Sequence, residues 1–146
     1  MNMMTDDVKL KNVTRSDFSF LYNLLDQRNP IANISHKKMP TYEQHVKFCI
    51  SRPYSKWYVI LHNNQKIGSI YLSNQDEIGI FIINSMQGKG IGKRALKLLM
   101  KYNPRLRFLA NISPKNKESM EFFTNSGFKL IQYTYELAKS KHSKKI

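Results

Sequence analysis

Between Ser85 and Met100 the chain reads SMQGKGIGKRALKLLM, with three glycines and several cations at the start of an amphipathic helical pattern. Such a stretch has the makings of a phosphate site. The first turn of a helix has unpaired N–H groups and a positive dipole end, and residues without side chains let an anion approach both. Lys89, Lys93 and Arg94 add positive charge around the same point. Counting tests two phosphate loops. The dinucleotide fingerprint G-x-G-x-x-G fails because Gly88, Gly90 and Gly92 run G-x-G-x-G, with Lys93 where the third glycine would fall. The P-loop fails because Gln87 stands at its first glycine and Arg94 at its hydroxyl residue. A third spacing, Q/R-x-x-G-x-G/A, fits Gln87, Gly90 and Gly92.

The elements that position this loop can be read from periodicity. VKLKNV, from Val8, alternates as a first strand. Thr14 with Asp17, and Thr41 with Gln44 after Pro40, are capping boxes that open two helices, the second closed by Pro53. KWYVIL and KIGSIYL are β-rich and joined through HNNQ as a hairpin, and SNQD turns into a third strand, EIGIFII. The helix opened by Gly90 follows. RLRFLA reads as another strand, KNKESMEFFTNS as a helix stopped by Gly127, and FKLIQYTYEL as a last extended segment. The order β-α-α-β-β-β-α-β-α-β argues for a mixed sheet covered by helices, an α/β (α+β) fold. One domain over residues 1–138 is expected, with a basic tail over 139–146.

Composition narrows the partners. The chain has 146 residues and a formal net charge of +14, and discounting the four tail lysines still leaves +10, so an anionic partner is favoured. The basic residues are not interleaved with aromatics in an RNA-recognition pattern, and no helix-turn-helix is visible, so a nucleic-acid module is the weaker reading. One Cys and four scattered His offer no metal-ligand spacing. No apolar run spans a membrane, no signal peptide is visible, and the lone Cys49 reads as a buried structural thiol, so a cytoplasmic protein is expected.

The loop Gln87-x-x-Gly90-x-Gly92, followed by NISPKNKESMEFFTNSGFKL with Asn116, Ser119, Phe123, Gly127 and Phe128, resembles the GCN5-related N-acetyltransferase (GNAT) family over essentially the whole chain. The resemblance implies a mostly antiparallel sheet of six or seven strands with helices on both faces, splayed between the fourth and fifth strands. It implies acetyl-CoA as co-substrate, no metal, and transfer of acetyl to a primary amine by direct attack in a ternary complex. The segment Gln87, Gly88, Lys89, Gly90, Ile91, Gly92 and Lys93 would hold the pyrophosphate. Phe81, Ile82 and Ile83, facing Leu109–Ile112 with its Asn111, would receive the pantetheine arm, and amides near Ile82 would form an oxyanion site worth about 3 kcal/mol. Asn116, Ser119 and Phe123 would complete the coenzyme site. Glu77 stands where some members place the general base. Phe123 occupies the position of a tyrosine that protonates the leaving thiolate in many members, so a water, Tyr133 or Tyr135 must serve, or the chain is a degenerate coenzyme-binding regulator. Arg28, His36 and Lys37 would lie beside the acceptor, favouring an anionic one such as an amino-sugar nucleotide. The alternative is a protein N-terminus of the ribosomal-protein kind. Monomer and homodimer both remain open.

Overall fold

The protein was analysed as a computed structural model that describes residues 6–28 and 39–139. His36, Lys37 and the tail from residue 140 lie outside the described residues. The sheet is an antiparallel meander in the order β1 (Val8–Asn12), β2 (Lys56–His62), β3 (Gln65–Leu72) and β4 (Ile78–Ile82). Among the described residues four α-helices accompany it: α1 (Phe18–Gln27), α2 (Tyr42–Ile50), α3 (Ile91–Tyr102) and α4 (Lys117–Asn125).

Local chemistry sets the boundaries. Thr14 N–H donates to the Asp17 carboxylate at 2.8 Å, and a 3-10 turn over Arg15–Asp17 leads into α1. Thr41 Oγ1 accepts from Gln44 N–H at 3.2 Å while Gln44 Oε1 accepts from Thr41 N–H at 2.9 Å, so two orphan donors of α2 are satisfied at once. Asn63 and Asn64, at φ 50° and 67°, make the two-residue hairpin whose left-handed backbone matches strand twist. Gly127, at φ 96°, stops α4, and Phe128 N–H returns to Phe123 O at 2.9 Å.

The sheet has a core on each face. Tyr58, Ile60, Ile70 and Leu72 pack with Ile78 and Ile82 against Ile91, Ala95, Leu96 and Leu99 of α3 and Phe123 of α4. On the opposite face Phe18, Leu21 and Leu24 of α1 and Cys49 of α2 are buried with Val59. Burial pushes the Cys49 thiol up to about 11, as suits a structural thiol.

Two expected strands do not form, which corrects the expected six or seven strands to four among the described residues. RLRFLA touches the sheet through a single parallel bridge, Leu109 to Glu77. FKLIQYTYEL pairs with nothing among the described residues. The physical reason is shared. A strand requires a neighbour's edge, and once the Leu109 segment leaves β4 it presents no paired edge on which the last segment could add.

Asp17 ties α1 to the sheet. Its side chain is fully buried, with carboxylate oxygens bound by Lys11 of β1 and by Lys66 of β3 at 2.7 Å. Burial alone would raise its pKa, but these lysines and the Thr14 amide outweigh it and hold it at about 2. The depressed folded-state value means that the cluster stabilises fully above the ordinary carboxylate pKa and is lost as pH falls from about 4 towards 2, a contribution of roughly 2 kcal/mol. Chemical denaturation across that window is expected to show the slope in the native protein and a flatter one in Asp17→Asn, which is also less stable at neutral pH.

Candidate active site

The site is built on the outer edge of β4. Glu77 O accepts from Ser73 N–H at 2.8 Å and Ile83 N–H donates to Ile67 O at 2.9 Å, so odd-numbered residues of β4 direct their backbone to β3. Even-numbered residues therefore direct theirs outward. Ile78 N–H meets Leu109 O at 2.7 Å, and there the pairing ends. Among the described residues the amides of Ile80 and Ile82 have no backbone acceptor. The sheet is thus open beyond Ile78, as the expected splay requires, although the segment across the gap is not a full strand.

Gln87 closes the far end of this edge. Its Nε2 donates to Ile82 O at 2.7 Å, which joins the loop to the strand. Gly88 and Gly90 both lie at φ 77°, and a Cβ on either would meet nothing within 4 Å. Glycine is needed there for the left-handed backbone. Gly92 differs: its Cβ would come within 3.2 Å of Ile82 Cδ1 and Phe122 Cε1, so its bareness seats α3 against β4 and α4. The first intrahelical bond of α3 is Arg94 N–H to Gly90 O, which leaves the amides of Ile91, Gly92 and Lys93 as orphan donors at the positive end of the helix. Lys89 and Lys93 are exposed beside them, whereas Arg94 is bound to Asp6 at 3.1 Å. An open strand edge next to a cationic helix start fits a ligand with an amide-bearing arm and a phosphate.

Glu77 sits at the head of the gap. Ser73 Oγ donates to its Oε1 at 3.2 Å and Asn111 Nδ2 to its Oε2 at 2.6 Å. Asn111 thus spans the two diverging segments and aims the carboxylate. Asn116 caps α4 by accepting from Ser119 N–H at 3.1 Å. Phe123, only 5% exposed, is a core residue held edge-to-face between Phe122 and Phe128. Ile91 is buried as well, so its side chain belongs to the core and only its amide to the loop. Tyr133 and Tyr135 are 74% and 91% exposed, and no described hydrogen bond or ring contact joins them to Glu77 or β4.

A cleft of about 100 Å³ opens on the α1–α2 face of β4, lined by leucines of α1, Phe48 of α2, Tyr54, Trp57, Tyr71, Gly79 and Phe81, with Arg28 in its wall. Of the expected acceptor-side residues Arg28 is the one described, and it lines this cleft. Tyr71, Gly79 and the Ile80 amide carry no spacing signal, because only the register of β3 on β4 brings them together, and Tyr54 joins them from the turn before β2 by stacking on Tyr71. Among the described residues no three His, Cys, Asp or Glu are placed to hold a metal ion, and no helix is long and apolar enough to cross a membrane.

This geometry agrees with the comparisons. The acetyltransferase (GNAT) domain family matches residues 7–129, so the chain belongs to the GNAT family of N-acetyltransferases, which use acetyl-CoA. Among solved structures, a domain from Methanocaldococcus jannaschii is 26% identical, with 90% of this chain and 94% of that one covered at a TM-score of 0.77. An acetyltransferase from Thermus thermophilus (20% identity, 86% and 88% covered, TM-score 0.71) shares the fold. So does a ribosomal L7/L12 α-N-protein acetyltransferase in complex with coenzyme A (19%, 88% and 83%, 0.68). No curated protein matches the sequence.

The two kinds of glycine separate experimentally. Gly90→Ala strains only a left-handed residue and is expected to cost about 1 kcal/mol. Gly92→Val drives a branched side chain into Ile82 and Phe122 and is expected to cost about 1–3 kcal/mol. Thermal denaturation of the two variants checks the order, and a Gly92→Val protein as stable as the native one would contradict the packing role.

Proposed function

We propose that the protein transfers acetyl from acetyl-CoA to the free α-amine of a peptide or protein, by direct attack in a ternary complex. The observation that carries this reading is the outer edge of β4, where the amides of Ile80 and Ile82 have no backbone acceptor among the described residues and lead from Glu77 to the amide-rich start of α3. The pantetheine arm would lie along this edge, and the pyrophosphate would rest on the amides of Ile91, Gly92 and Lys93 with Lys89 and Lys93 beside it. The coenzyme supplies an activated thioester. An outward amide at Ile80 or Ile82 would receive its carbonyl oxygen as negative charge develops.

Glu77 would take the proton that the ammonium must lose before it attacks. Its two hydrogen bonds, from Ser73 and Asn111, each leave a lone pair free on the oxygen concerned. The N–C bond forms and the C–S bond breaks; the departing thiolate takes a proton from water, since Phe123 carries no hydroxyl, and the second proton that the nitrogen sheds on becoming an amide restores that water, so one proton per turnover leaves through Glu77. The exposure of Tyr133 and Tyr135 supports water over either tyrosine.

The amine would arrive from the α1–α2 face. A cleft with apolar and aromatic walls suits one side chain beside an α-amine. A second reading, an anionic acceptor such as an amino-sugar nucleotide, is favoured by Arg28 in the cleft wall.

Release of free thiol from acetyl-CoA, measured against an alanyl peptide, an amino-sugar nucleotide and spermidine, tests the reading. The peptide is expected to be the best acceptor, and preference for the sugar nucleotide would replace it with the second reading. Glu77→Gln keeps the size and much of the hydrogen bonding of the side chain. It is expected to lower kcat by about 10²–10⁴-fold with the acetyl-CoA Kd unchanged; an equal loss in Kd would instead make Glu77 a binding residue.

A further inference from the structure

Tyr71 and Gly79 face each other across β3 and β4. A Cβ built on Gly79 would lie 2.1 Å from Tyr71 Cζ and 2.4 Å from its hydroxyl oxygen. The phenol therefore lies over the glycine, in the space that any other residue's side chain would fill. From its other side the ring is held by Tyr54, stacked at 3.8 Å and 10° from parallel, and Tyr54 meets Trp57 edge-on at 4.9 Å. This is a rigid aromatic wall that ends in a hydroxyl.

The hydroxyl is well placed for the reaction. Register puts Ser73 opposite Glu77 and Tyr71 opposite Gly79, so Tyr71 and Glu77 share the face on which the cleft opens. Burial is the largest influence on the Tyr71 phenol and raises its pKa. Arg28 opposes this, and the Glu77 carboxylate adds to it, so the hydroxyl keeps its proton at neutral pH. Phenylalanine would satisfy the stack and the contact with Gly79 equally well. The oxygen shares a hydrogen bond with the Tyr54 side chain, and a phenol that gives or takes one bond there keeps capacity for another.

We infer that Tyr71 is a positioning residue whose hydroxyl holds the amine-bearing end of the acceptor over Gly79, between Glu77 and the open edge of β4 at Ile80. This rests on reading the cleft as the acceptor site. The Tyr54 stack fixes the direction of the hydroxyl, and Gly79 gives it room to reach the strand.

Steady-state kinetics of Tyr71→Phe, with the alanyl peptide and again with the amino-sugar nucleotide, provide the test. The acceptor kcat/KM is expected to fall about tenfold to a hundredfold, as for a lost hydrogen bond to a buried polar group. The acetyl-CoA Kd is expected to stay as in the native protein, and the melting temperature to fall by a few degrees at most, the share of the lost Tyr54 hydrogen bond. Gly79→Ala displaces the ring and is expected to give a similar loss, but no further loss in a Tyr71→Ala background, because the clash is then absent. An unchanged acceptor kcat/KM in Tyr71→Phe overturns the inference, as does a loss matched by weaker acetyl-CoA binding. A native protein that turns over none of the panel amines overturns the functional reading itself, a result distinct from an active enzyme indifferent to Tyr71→Phe.

Discussion

The site depends on where β4 stops being paired. Up to Ile78 the strand is bonded on both sides, and beyond it the outward amides of Ile80 and Ile82 have no backbone acceptor among the described residues. Unpaired strand amides are costly inside a protein and adhesive at its surface. Such an edge offers its donors to any strand-like arm laid along it. Gln87 makes the arrangement definite: by occupying Ile82 O it satisfies the acceptor at the end of the edge and ties the glycine-rich loop to the same strand. Backbone edge and helix start are therefore held in register by one side-chain hydrogen bond.

The other end of the edge is governed by the pair Glu77–Asn111. The Leu109 segment meets β4 through two backbone bonds around Glu77, and Asn111 lies two residues beyond, just after divergence has begun. Its amide can therefore reach back to the carboxylate across the opening. The bond braces the gap and points the carboxylate, so the place where the sheet opens is also the place where a proton acceptor is held. The Asp17 cluster fixes the start of α1 to β1 and β3, and α1 supplies one wall of the cleft on this face.

What the sequence revealed follows from how local each signal is. Capping boxes at Thr14 and Thr41, the Asn63–Asn64 hairpin and the Gly127 stop depend on neighbours a few residues away, and all are present. The glycine-rich loop was legible for the same reason. The strands at RLRFLA and FKLIQYTYEL were not, because β-rich composition states a preference and only a partner's edge satisfies it. Arg94 stands beside Lys89 and Lys93 in the sequence, but Asp6, 88 residues away, holds its guanidinium. Tyr71 carried no motif at all. Its meaning lies in being opposite Gly79, a fact of register.

The glycines around β4 show how the chain fixes this strand without a ligand. At Gly68 a Cβ would stand 2.4 Å from Phe81 O, so its absence lets β3 close on β4. At Gly79 it admits the ring of Tyr71, and at Gly92 it admits α3. Three of the six glycines thus bring backbone, ring and helix against β4 from different directions, while Gly88 and Gly90 supply turn geometry only. Close contact from these directions leaves the strand few ways to move, and its outer edge is the direction left open. A donor bound there would meet groups already in position, so little of its binding energy would be spent on ordering the protein. Preorganisation of this kind lets fixed backbone amides stabilise developing charge without rearranging as the reaction proceeds.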